Sequence, residues 1–97
     1  MKIPMISERT DEVRVSFRHV LRRTDSVGAF SEATVVWTPP DGIPRQALAV
    51  ARVHPNDMPE RKIGRKVALA RALRLAEFSR DERRQVWAGL IERGMRV

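Results

Sequence analysis

The chain contains no cysteine. That absence excludes thiolate catalysis, cysteine-based zinc sites and disulfide stapling, and it fits a reducing compartment, so a cytoplasmic location is expected. Aromatic residues are scarce, with two tryptophans and three phenylalanines, and neither Trp37 nor Trp87 is interleaved with the run of basic residues from Arg61; base stacking on aromatics is therefore not expected. Two histidines without cysteine make a poor zinc site, and neither a metal nor another cofactor is expected. No apolar run approaches the ~20 residues of a membrane span, and Met1–Glu8 lacks the apolar core of a signal peptide. Walker loops, dinucleotide-binding glycine patterns, nucleophile elbows and H-E-x-x-H helices are all missing.

What remains is a basic chain of 97 residues, in which 19 lysines and arginines face 12 acids for a net charge of +7. This length suits one domain and buries more than half of the unfolded surface without a metal or disulfide. The excess charge is local. Residues 61 to 76 hold six cations and no acid, and without those six the net charge falls from +7 to +1. A concentrated patch steers partners more strongly than the same charge spread evenly.

Residues 1–11 carry no period and are expected to form an irregular N-terminal arm, leaving 12–97 as a single α+β domain. Val13, Val15, Phe17 and Leu21 alternate with Arg14, Ser16 and Arg18, the pattern of a half-buried strand in which His19 interrupts the apolar side. Ala33–Thr38 is β-branched and aromatic, and Pro39-Pro-Asp-Gly-Ile-Pro44 ends it. Gln46–Val53 has helix-forming alanines but is too short for a stable helix between proline clusters, so a third strand is expected. Its small face, Ala47, Ala49 and Ala51, would admit a helix closely above it.

Two helices follow. Asp57-Met-Pro-Glu60 and Ser79-Arg-Asp-Glu82 both have the form of a capping box, and Gly94 supplies a stop. In the second helix Val86, Trp87, Leu90 and Ile91 make one apolar stripe. In the first, Ile63, Val67, Ala70 and Leu73 make one stripe and Leu69, Ala72 and Ala76 another, as if it were held by both the sheet and the second helix. The expected architecture is βββαα, a three-stranded antiparallel meander with both helices on one face.

The start of the first helix carries Arg61, Lys62, Arg65 and Lys66, a breach of the preference for acids at a helix N-terminus. Arg61 and Arg65 repel at i,i+4, as do Lys62 and Lys66. Either Glu8, Asp11, Glu12 or Asp57 neutralises them, or an external anion does, phosphate being suited to both the cations and the free N–H groups. Gly64 fits a close ligand or a strand packed beneath. The first expectation is thus a non-enzymatic accessory protein touching nucleic-acid phosphates through Arg61, Lys62, Arg65, Lys66, Arg71 and Arg74. A second is a protein-interaction module, or a self-associating protein, with an exposed apolar patch from Trp37 or Met95 beside the basic run. A third, weaker expectation is a metal-dependent nuclease using Asp57 and Glu60, whose spacing of three at a helix start departs from acids held on adjoining strands. His54-Pro-Asn-Asp57 has a structural task at each position, ending a strand, turning the chain and capping a helix. A membrane-surface helix is not expected, because both helices need their apolar faces for the core.

His54-Pro-Asn-Asp57 followed by Arg61-Lys-Ile-Gly-Arg-Lys-Val-Ala-Leu-Ala-Arg-Ala72 resembles a pattern in short bacteriophage-encoded proteins of unassigned function. It covers about a fifth of the chain. The resemblance implies a phage or prophage origin and a host-cytoplasm location, carries no mechanism, and makes an acidic host protein a rival partner to nucleic acid.

Overall fold

The computed structural model describes residues 1–20, 30–52 and 61–95, apart from the side chains of Val20, Arg61 and Lys62. Four strands, β1 (Lys2–Pro4), β2 (Glu12–Val20), β3 (Phe30–Trp37) and β4 (Arg45–Arg52), form one antiparallel sheet in the order β1-β2-β3-β4. Helices α1 (Arg61–Leu75) and α2 (Arg80–Glu92) follow. The α+β class is as expected; the sheet has one strand more.

That strand comes from the segment read as an irregular arm. Ile3 pairs with Val13 and is buried, and the Met1 ammonium donates to the Val15 carbonyl at 2.8 Å while the Val15 N–H donates to the Met1 carbonyl. Beyond β1 the segment is tied to α2. The Ile6 N–H donates to Gln85 Oε1 at 2.8 Å, Gln85 Nε2 donates back to the Ile6 carbonyl at 2.9 Å, and the Ser7 hydroxyl donates to Glu82. Three paired residues show no period of their own, so only their partners reveal the strand.

β2 and β3 follow their alternation. Val13, Val15, Ala33, Val35 and Trp37 point inward, while Arg14, Ser16 and Arg18 lie on the uncovered face. β4 buries Ala47, Ala49 and Ala51 beneath α1, which packs on β3 and β4. Their small side chains let the helix backbone come close, as expected of this face.

The outward half of α1 differs from expectation. Its buried face is Gly64, Ala68, Leu69, Ala72, Leu73 and Ala76, whereas Ile63 is 56% exposed and Val67 36%. α1 is therefore held by the sheet, and α2 lies against β1 instead of gripping the other side of α1. In α2, Val86 and Leu90 are buried and Trp87 packs at the core margin, but Ile91 is exposed. The Ser79 capping box is complete: Glu82 N–H donates to Ser79 Oγ at 3.1 Å and Ser79 N–H donates to Glu82 Oε1 at 2.8 Å. Gly94, at φ +90°, ends the helix. The Asp57–Glu60 box lies outside the described residues.

Candidate anion-binding surface

α1 begins with no acid in its first turn. Its opening turn lies directly on β3. A Cβ placed at Gly64 would stand 2.2 Å from Ser31 Oγ and 2.9 Å from Ser31 Cβ, so this glycine serves close helix–strand packing. The buried Ser31 hydroxyl shares a 2.8 Å hydrogen bond with His19 Nδ1. In this serine–histidine pair Ser31 is buried and His19 half-buried. His19, which interrupts the apolar face of β2 in sequence, thus has a polar partner across the strand pair.

The four candidate cations whose side chains are described do not form one cluster. The side chains of Arg61 and Lys62 lie outside the described residues. Arg65 falls on the buried side of α1, one turn before Ala68 and Leu69, and its guanidinium Nε is buried with no hydrogen-bond acceptor among the described residues. Lys66 and Arg74 are exposed and have no acidic partner among the described residues. Arg71 is exposed and donates from Nη1 to the Val50 carbonyl at 2.8 Å. At 3.6 residues per turn, Lys66 and Arg71 point about 140° apart with Arg74 between them, a spread suited to a ligand lying across the helix.

Among the described residues, none of the acids expected to neutralise this run is ion-paired with α1. Glu12 pairs with Arg14 at 3.4 Å, and Glu8 and Asp11 make no ion pair among the described residues. Asp57, Glu60 and His54 lie outside them. Asp41 pairs with Arg45 at 3.2 Å, and the hydrogen bond from the Ile43 N–H, aided by Arg45, lowers its pKa. Glu82 is committed to the arm: burial pushes its carboxyl up, but hydrogen bonds from the Ser7 hydroxyl and from the Ser79 N–H and hydroxyl, with Arg9 nearby, bring it below the usual range.

Strand pairing adds two cations that a search for basic runs passes over. Arg18 lies opposite Glu32, and Arg52 opposite Phe30, at the end of the sheet where Gly64 covers Ser31; both are exposed on the uncovered face. The outward positions of their strands were the available signal. Trp37 and Met95, the expected exposed patch, are buried. The exposed apolar residues beside the cations are Ile63, Val67 and, at 65%, Leu75.

No protein-family model, curated protein or solved structure shows significant similarity to this chain.

Proposed function

We propose that the protein is a small, non-enzymatic accessory protein that binds nucleic-acid phosphates through the cationic part of α1, with Arg61, Lys62, Arg65, Lys66, Arg71 and Arg74 as contacts. One observation carries this reading. The first turn of α1 is basic and acid-free, and its Arg65 holds a buried N–H that has no acceptor among the described residues, where no acid pairs with α1. A buried unsatisfied donor costs about 1–3 kcal/mol, and an anionic ligand reaching it offsets that cost. With no aromatic row available, the contacts would go to phosphates, giving weak sequence dependence.

Fluorescence anisotropy with labelled DNA and RNA 20-mers tests it. Binding is expected at micromolar affinity or tighter at low salt, weakening steeply as salt rises because each neutralised phosphate releases counterions. Replacing Lys66, Arg71 and Arg74 by Gln should reduce the log–log salt slope by about one per lost contact. Substituting Arg80 and Arg84, whose helix carries Asp81 and Glu82 in its first turn, should leave affinity nearly unchanged. No binding at low salt, or affinity independent of salt, defeats the proposal.

A second reading has its own support. Ile63, Val67 and Leu75 expose apolar surface on the same helix, which suits a protein partner that is acidic and partly apolar, such as a host protein if the chain is phage-encoded. Co-purification of one partner that survives nuclease treatment favours this reading; loss of every partner on nuclease treatment favours the first.

A further inference from the structure

The two edges of the sheet are built differently. β1 is three residues long and contains Pro4, so it offers little to an incoming strand. β4 is eight residues long and closes the other edge. It carries no proline and no charge between Arg45 and Arg52. Among the described residues, the only group on its outer side is Arg71, held on the Val50 carbonyl. A long apolar edge without bulge or proline is a template for another strand.

The sequence of β4 says which strand. Ala47-Leu48-Ala49-Val50-Ala51 is symmetric about Ala49 in its alternation of small and branched apolar residues. The alanines face α1, and Leu48, 46% exposed, and Val50 lie on the uncovered face. We infer that β4 pairs antiparallel with β4 of a second copy of this chain, about a two-fold axis at Ala49, to give a continuous eight-stranded sheet.

Directly opposed residues in an antiparallel pair point to the same face, so a register centred on a residue keeps both helical layers on one side. Centring on Ala49 sets Leu48 opposite the partner's Val50, Ala47 opposite the partner's Ala51, and Gln46 opposite the partner's Arg52, so no two like charges meet. Because backbone groups alternate in direction along a strand, the Val50 carbonyl reached by Arg71 marks the even-numbered residues as those facing the open edge. Leu48 and Val50 are therefore the pair that exchanges N–H···O bonds across the axis. Arg71 guards this edge in the monomer and leaves its carbonyl when the partner strand arrives. An interface of this kind follows from self-complementarity, independently of the proposed nucleic-acid binding.

Sedimentation velocity on nuclease-treated, nucleic-acid-free protein tests the inference over a hundredfold concentration range. The wild-type chain is expected to show a concentration-dependent monomer–dimer equilibrium. Leu48→Lys/Val50→Lys sets lysine against lysine across the axis and should be monomeric throughout, with an unchanged far-UV circular dichroism spectrum. Leu48→Lys/Val50→Glu sets each introduced lysine against the partner's introduced glutamate and should dimerise, more weakly at high salt. Arg71→Ala should shift the equilibrium toward dimer. A wild-type chain that stays monomeric overturns the inference. So does a Lys/Lys variant that still dimerises, or a Lys/Glu variant that is as monomeric as the Lys/Lys one.

Discussion

Replacing Gly89 by alanine probes how the N-terminal strand is held to the rest of the domain. A Cβ at this position would lie 2.5 Å from Ile3 Cγ2 and 3.1 Å from Ile3 Cδ1. Ile3 is 1% exposed, so its branched side chain has nowhere to retreat. Overpacking of this kind costs about 1–3 kcal/mol, while alanine in a helix returns about 1 kcal/mol relative to glycine. Gly89→Ala alone should therefore destabilise by about 0–2 kcal/mol. Ile3→Ala alone should cost about 2–5 kcal/mol, because it opens a cavity beneath α2. In the double variant the new Cβ stands 3.5 Å from the position of the Ile3 Cβ, an ordinary contact, and fills part of that cavity. The double variant should thus be more stable than the sum of the single effects by at least about 1 kcal/mol. Urea unfolding of all four proteins, followed by circular dichroism, measures the coupling; as a thermal shift, 1 kcal/mol is about 4–8 °C for a domain of this size. Additivity to within about 0.5 kcal/mol would refute the packing of β1 under α2.

Ser79→Ala should lower stability by about 1 kcal/mol through loss of the cap on α2, read as a shift in the urea midpoint. The Glu82 carboxyl has its pKa lowered in the folded state, so its contribution is complete above the unfolded value near 4.5 and is lost as pH falls through the lower folded value. Urea midpoints measured between pH 7 and pH 3 should therefore fall less steeply for Glu82→Gln than for the wild-type chain, and identical slopes would contradict this linkage. Arg65→Met keeps the length of the side chain and removes the unsatisfied buried donor, so the melting temperature should hold or rise while nucleic-acid affinity drops. A melting temperature several degrees lower would show that Arg65 contributes to folding, and unchanged affinity would remove it from the binding surface.

Much of the architecture was readable where the signal was local. The alternation of Val13, Val15 and Phe17 is a period of two within one segment, and the Ser79–Glu82 box joins residues three apart. The alanine face of β4 could be read as a seat for a helix because a helix can approach closely only where side chains are small. The basic run on α1 was equally legible, since charge can be counted along the chain.

Other features depended on contacts between distant segments. Lys2–Pro4 becomes a strand only because β2 has a free edge beside it. α1 carries apolar residues on two sides, and nothing local says which side meets the sheet; the close seat of Gly64 on Ser31 settles it and leaves Ile63 and Val67 outside. Arg18 and Arg52 join the basic end of the molecule through strand pairing.

By itself, then, the sequence determined the α+β class, the strand faces, the α2 cap and the total charge, all of which rest on short-range periodicity, caps or counting. Only the tertiary structure decided which face of α1 is open, that Glu82 binds the arm, and that Lys66 and Arg74 have no acidic partner among the described residues. These depend on which surfaces meet, and many apolar and acidic residues compete for each such contact until the whole chain packs.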